Sequence, residues 1–311
     1  MAVPRAHSGT VDVMRLTVLL ACTALATTRV GLVVHELVGH GGTALAVGAQ
    51  IDDVRLFWFA GGWIHYHDVP STGAAVAIAL GGIAVELACG LGLWLAARGD
   101  TFARRVVRAI GAALAVHAGW YLATGTWHGY GDGALLYHVL GAWRWPVAIA
   151  AGLVTCGAAF AGARVVLGAL AMTLPGSRRA RIAGTALALV LAGGIHGALL
   201  AGELALRRDT RYAQVMQPER ARVVEREVAQ WDAEHAHAAP DERRAVVERI
   251  ESEHRAFPFG WLLGFATLAA IVAGAWRALP AAEHAISRRS LVVAAACAAG
   301  ATAIVIAIGA L

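Results

Sequence analysis

The chain has 311 residues, of which 58% are apolar and 15% charged, and its mean hydropathy of +0.61 excludes an ordinary water-soluble globular domain of this length. Every one of its 26 basic residues is Arg, and the formal net charge of +5 sits largely in short loops. The basic excess therefore bears on membrane topology and not on nucleic acid. Cys22, Cys89, Cys156 and Cys297 stand singly in apolar stretches. Without paired spacing they suggest neither a disulfide framework nor a cysteine zinc site, and they read as small core residues.

Apolar runs of about 20 residues or more, the length that crosses a bilayer, recur at about 13–47, 71–97, 105–128, 145–173, 181–206, 258–278 and 289–310. Residues 1 to 28 resemble a signal peptide, with Arg5 and Arg15 ahead of an apolar run and Ala24-Leu25-Ala26 near its end. Cleavage there would leave His35 close to a new N-terminus, so an uncleaved signal anchor is expected. The first run is too long for one simple span. Leu16 to His35 already covers about 28 Å of helix, which places His35-Glu36-Leu37-Val38-Gly39-His40 near the far side of the bilayer and open to water from one face.

After the first span, Ile51 to Phe59 and Trp63 to His67 are rich in aromatic and β-branched residues and flank Ala60-Gly61-Gly62, a hairpin signal. A lone hairpin cannot leave its edges open in lipid, so it is expected among helices or at the interface. An edge strand there could hold an extended peptide by main-chain hydrogen bonds. His65 and His67 alternate with Tyr66 and should share one face. From Arg207 to Arg255 the composition turns to dense mixed charge, with Pro218 and Pro240 each opening a helical segment. This predicts a soluble antiparallel helical pair, which reads as a solvated face, or else as a substrate-gating or partner-docking element. The short-loop Arg residues, including Arg5, Arg15, Arg98, Arg104, Arg105, Arg108, Arg178, Arg179, Arg181, Arg277, Arg288 and Arg289, fall on one side of the seven-span arrangement. By the positive-inside rule that side, with the N-terminus, is cytoplasmic.

The expected architecture is thus an all-α polytopic membrane bundle of about seven transmembrane helices, with a small β-hairpin after the first and a soluble helical hairpin. Residues 1–206 form the membrane core with the metal site, 207–256 the charged helical hairpin, and 257–311 two C-terminal spans. A bacterial cell membrane is the expected location.

Two imidazoles and a carboxylate are expensive at membrane depth and point to a functional site. His-Glu-x-x-His on a helix puts two zinc ligands on one face with the Glu beside the metal as general base. Here the second His comes one residue late. On a regular helix an i,i+5 pair points about 140° apart, and a π-bulge, for which Gly39 is suited, would restore the common face. A catalytic zinc needs about three protein ligands and an open position for water. With His35 and His40 as two and Glu36 as base, Asp132 in Tyr130-Gly131-Asp132-Gly133 is the leading third, because flanking glycines let the backbone come close. Glu86, His117, His128 and His138 are reserve ligands. His196 and Glu203, seven apart on one helix face, could form a second polar cluster.

The order of a membrane-embedded His-Glu motif in the first span, a Gly-rich aromatic hairpin, Gly81-Gly82-Ile83-Ala84-Val85-Glu86 in the second span and a Gly-Asp-Gly after the third resembles the site-two protease family of intramembrane zinc metallopeptidases, over roughly residues 30 to 140. The resemblance implies His35, His40 and Asp132 as zinc ligands, Glu36 as the base, and a membrane-protein substrate cut within the bilayer. The chain departs from the family in three ways. The motif carries an extra residue, Thr126-Trp127-His128-Gly129 replaces the Asn-Pro that usually precedes the family's Asp-Gly, and the motif lies toward the outer face. The hexapeptide is also similar to the His-Glu-x-x-Gly-His zinc motif of soluble dipeptidyl peptidases, a precedent for the spacing alone. Two further classes fit the same residues: a membrane metallohydrolase acting on a lipid or small amide or ester, and a non-catalytic metal-binding membrane protein.

Overall fold

The computed structural model describes residues 9–309 apart from 238 and 256; Arg5 lies outside the described residues. Seven helices are long and apolar enough to cross a membrane. The first is Gly9–Ala46, made of α1 (Gly9–Val33), a π-helical segment (Val34–Gly41) and α2 (Gly42–Ala46). A hairpin of β1 (Gln50–Leu56) and β2 (Gly62–His67) follows, then α3 (Thr72–Ala96) and α4 (Phe102–His128). The short α5 (Gly133–Val139) and one 3-10 turn lead into α6 (Arg144–Ala171), followed by α7 (Arg178–Arg207). Outside the spans lie α8 (Thr210–Val215), α9 (Glu219–Glu234) and α10 (Pro240–Glu253), before α11 (Phe259–Trp276) and α12 (Arg288–Gly309) complete the bundle. The chain is a multi-pass membrane protein, an all-α bundle with one small antiparallel sheet.

The exterior of the bundle confirms the solvent for which it is built. Leu153, Val190, Trp261 and Trp276 are each about 70% exposed or more, a distribution that water would penalise and lipid does not. The buried contacts lie between helices. Leu16, Leu19, Leu170, Leu174 and Ala188 join α1, α6 and α7, and Ala123, Ala148, Ala151, Phe259 and Leu263 join α4, α6 and α11. The frequent Ala at these seams lets helices approach closely where packing, not water exclusion, drives association. Two of the four cysteines depart from the expected core placement. All four are free, and Cys89 and Cys297 are exposed on the sides of their helices, where a small apolar group meets lipid without penalty.

Successive spans alternate in direction, so the α3–α4, α6–α7 and α11–α12 connections share one end of the bundle with the start of α1. Arg residues tie this end together: Arg105 donates to the carbonyls of Leu279 and Pro280 at 3.3 and 2.6 Å, and Arg181 pairs with Glu283 at 2.6 Å. The hairpin, α5 and α8–α10 lie at the other end. There Pro218 caps α9 and Pro240 occupies the first turn of α10, as the fixed φ of proline favours. Arg243–Asp232 and His254–Glu227 pairs hold the two helices antiparallel.

The strands pair from Gln50↔His67 to Leu56↔Gly62, with Asp52 as the extra residue of a bulge. The β1 strand ends at Leu56, three residues before the expected Phe59, because the turn bonds to helices and not to strand. Arg29, buried in α1, donates to the carbonyls of Phe57, Phe59 and Ala60 at 2.8–3.0 Å. Glu203, buried in α7, accepts the N–H groups of Trp58, Phe59 and Ala60 at 2.6–2.9 Å. Arg207 closes the clamp, 2.8 Å from Glu203 and stacked over Phe57 and Trp58. His196 does not join it. Helical spacing placed His196 and Glu203 on one face, but Glu203 is claimed by three backbone donors and the Nδ1 of His196 is buried without a partner among the described residues.

Removing one side of a buried, fully bonded charge leaves the rest uncompensated, at about 3–5 kcal/mol. Glu203→Ala should therefore cost that much in denaturant unfolding of the detergent-solubilised protein, with Glu203→Gln intermediate. A loss no larger than that of Asp232→Ala in the exposed Arg243 pair would contradict the clamp.

Candidate metal centre

The first helix widens where the two histidines need it to. Between Val34 and Gly41 it is π-helical, and the N–H of Gly42 reaches the carbonyl of Leu37, five residues back. One more residue per turn brings His35 and His40 onto one face, with their rings edge to face and their Nε2 atoms 3.1 Å apart. Gly82 of α3 makes room for them. A Cβ at Gly82 would sit 2.6 Å from both Nε2 atoms, and one at Gly39 would sit 2.7 Å from the Gly82 nitrogen. The two helices thus meet glycine to glycine at the motif.

Asp132 arrives from the break after α4. Gly129 ends that helix with φ +71° and Gly131 follows with φ +52°, left-handed conformations that an L side chain rarely adopts. The Gly131 N–H donates to the carbonyl of Val215 at 2.9 Å, tying the loop to α8. Asp132 Oδ2 then lies 3.0 Å from His35 Nε2 and 3.1 Å from His40 Nε2. Both histidines and Glu36 are 6% exposed.

The hydrogen bonds behind the imidazoles fix which lone pairs face inward. His40 Nδ1–H donates to the Ile78 carbonyl at 2.6 Å, an acceptor with no proton to give. His35 Nδ1–H donates to Glu86 at 3.2 Å, and Glu86 also accepts from His117 at 2.9 Å. With each Nδ1 so engaged, the neutral rings turn both Nε2 lone pairs toward one another and toward Asp132 Oδ2. Three acceptors within about 3 Å repel unless they share a cation. These backing partners are the arrangement that orients metal-bound histidines, and His35, His40 and Asp132 together can hold a metal ion.

A cavity of about 440 Å³ opens beside the three residues, lined by Glu36, His40, Asp132, Tyr121, the Gly62–Tyr66 edge of β2, and Arg211, Gln214 and Val215. The other strand, β1, packs against α12, and residues Gly62–Tyr66 of β2, whose outer edge has no strand partner among the described residues, line the cavity. His65 and His67 share a face, as alternation requires, and both bond Asp52, at 2.9 and 2.6 Å. The His67 imidazole holds the Asp52 carboxyl below its usual range.

The four residues singled out by motif thus meet at one place, and the reserves separate. Glu86 and His117 stand behind His35, while His138 faces Glu219 at 3.7 Å. The sequence reading missed the backing role of Glu86 and the roles of Gly82, Arg29 and Glu203. A signal was available for the charged ones, since an ionisable residue inside a span must have a partner.

The purified protein should carry about one metal ion per chain, lost on His35→Ala, His40→Ala or Asp132→Asn. Glu86→Gln should weaken metal affinity about 10–100-fold, the usual effect of a backing partner. Gly82→Ala should abolish binding whereas Gly92→Ala, with nothing within 4 Å of its added Cβ, should not; equal metal content in the two would refute the geometry. Compared with known proteins, the chain matches no family model, no curated protein and no solved structure, so the centre is read from its own geometry.

Proposed function

We propose that the chain is a zinc-dependent intramembrane peptidase, similar in its site to the site-two protease family. The observation that carries this reading is the convergence of His35, His40 and Asp132, through a π-helical turn, beside a carboxylate and a free strand edge in one cavity. Two nitrogens and one oxygen suit zinc, which takes such ligands at about 2.0–2.2 Å in tetrahedral array, with edges near about 3.3 Å. The 3.0–3.1 Å spacing is close to that.

Zinc held there would supply Lewis-acid polarisation of a carbonyl and a lowered water pKa. The chain's own residues do the rest. Extended substrate lies along β2 between Gly62 and Tyr66 and is held by main-chain hydrogen bonds, leaving side chains to the cavity walls. Glu36 takes the proton of the attacking water and returns it to the departing amide nitrogen, so the peptide bond breaks with no net proton change. Glu86 and the Ile78 carbonyl keep both imidazoles turned inward throughout. With the Arg-rich end cytoplasmic, the cavity opens toward the opposite face.

The cavity volume also favours a second reading. About 440 Å³ is the size of a small-ligand site, which suits hydrolysis of a lipid or small amide or ester by the same groups.

Glu36→Gln should retain full metal while cleavage of a helical reporter substrate in proteoliposomes falls about 10²–10⁴-fold, the range for losing a general base. Reporter cleavage unaffected by Glu36→Gln removes the peptidase assignment. Turnover of a small amide without reporter cleavage selects the second reading.

A further inference from the structure

A second cavity lies away from the metal site and is about twice its size. It is a cleft of about 880 Å³ between α1, α3, α4 and α12, running from Leu19 to Val34 along α1. Fifteen helical residues make it about 22 Å long, most of one hydrocarbon core of about 30 Å. Its walls are apolar almost throughout, with Ile110 and Leu114 opposite Val293 and Ala294. Two charged residues line it, at opposite ends. At the end toward the motif, Glu86 turns its carboxylate onto His35 and His117. At the other, Arg289 lies in the first turn of α12, exposed and with no carboxylate partner among the described residues.

We propose that this cleft binds an anionic glycerophospholipid, its acyl chain lying along α1 and its headgroup on Arg289. An acyl chain is slender enough to lie along α1 over the length of the cleft. The walls are mostly apolar, with Thr23, Thr27 and Ser290 as the uncharged hydroxyl side chains along them, so they suit an acyl chain better than a column of water. Charge selects the headgroup. Arg289 lies at the Arg-rich end of the bundle, level with the interface, and a guanidinium without an internal partner pairs well with a lipid phosphate there. Bulk lipid alone would explain an apolar wall but not a deep cleft that ends on a free Arg.

The proposal is independent of the peptidase reading, and its test does not use activity. The protein purified in neutral detergent is reconstituted with zwitterionic or anionic phospholipid, and bound lipid is counted by native mass spectrometry alongside Tm. Wild type should retain about one anionic lipid per chain and show a rise in Tm that zwitterionic lipid does not give. Arg289→Gln, at an exposed site that should fold normally, should lose retention and the Tm rise, whereas Arg178→Gln at the same end should lose neither. Ala294→Phe, which fills the cleft, should exclude the lipid whatever its headgroup. Equal retention of both lipids, no effect of Arg289→Gln, or the same loss from Arg178→Gln would each overturn the proposal. So would a photoreactive acyl chain that labels the protein outside the cleft, or a second copy of the chain found occupying it.

Discussion

The site depends on a single extra residue in a helical turn. An α-helix spends 100° on each residue, about, so His35 and His40 would diverge, and no side-chain rotation could bring two short imidazoles back to one point. Taking in one residue between Val34 and Gly41 solves this, but a π turn is rarely stable by itself and needs a neighbour that fits the widened wall. The fit comes from α3. Gly39 lies against Gly81 and Gly82, close enough that neither side could carry a Cβ, and this contact puts the Ile78 carbonyl and the Glu86 carboxylate within reach of the imidazoles. Backbone distortion, glycine contact and imidazole orientation are therefore one structural unit.

The hairpin beside it obeys the same rule of internal satisfaction. Two strands alone are marginal, and a turn at the membrane boundary would leave its amide groups short of partners. Arg29 and Glu203 supply them from two different spans, one taking carbonyls and the other N–H groups of the same turn. The turn thus solvates both charges with its own backbone dipoles. It also aims β2. With one end of the hairpin fixed between α1 and α7 and β1 against α12, β2 is left beside the cavity that Glu36 and Asp132 also line.

Much of this was legible in the residues. The seven spans follow from apolar runs, the helical hairpin from Pro218 and Pro240, and the need for a π turn from the i,i+5 spacing itself. Asp132 was legible because Gly129, Gly131 and Gly133 announce a break that a carboxylate could use. What was not legible is pairing across spans. Arg29 and Glu203 lie 174 residues apart and bond to backbone, which has no sequence signature, so helical spacing grouped Glu203 with His196 instead. Strand length failed for the same reason: Phe57 to Phe59 have strand-forming side chains, but their amides are claimed by helix side chains. The cysteines misled because an apolar span has two places for a small residue, core or lipid, and hydropathy does not separate them.

The two polar clusters of the bundle can be told apart by whether their bonding closes. Around the turn it nearly does: Glu203 takes three N–H groups and Arg207, and Arg29 donates to three carbonyls with only its Nε left without a partner among the described residues. Such a cluster has little left to offer a ligand, and its role is to hold the fold. Around His35 it does not close. Each imidazole spends its one proton on a partner behind it, and the three inward atoms are all acceptors. In water such a surplus would be hydrated and would mean little. Packed between helices, with both rings 6% exposed, it is costly to maintain, and a metal ion or a proton taken up by one ring could complete it.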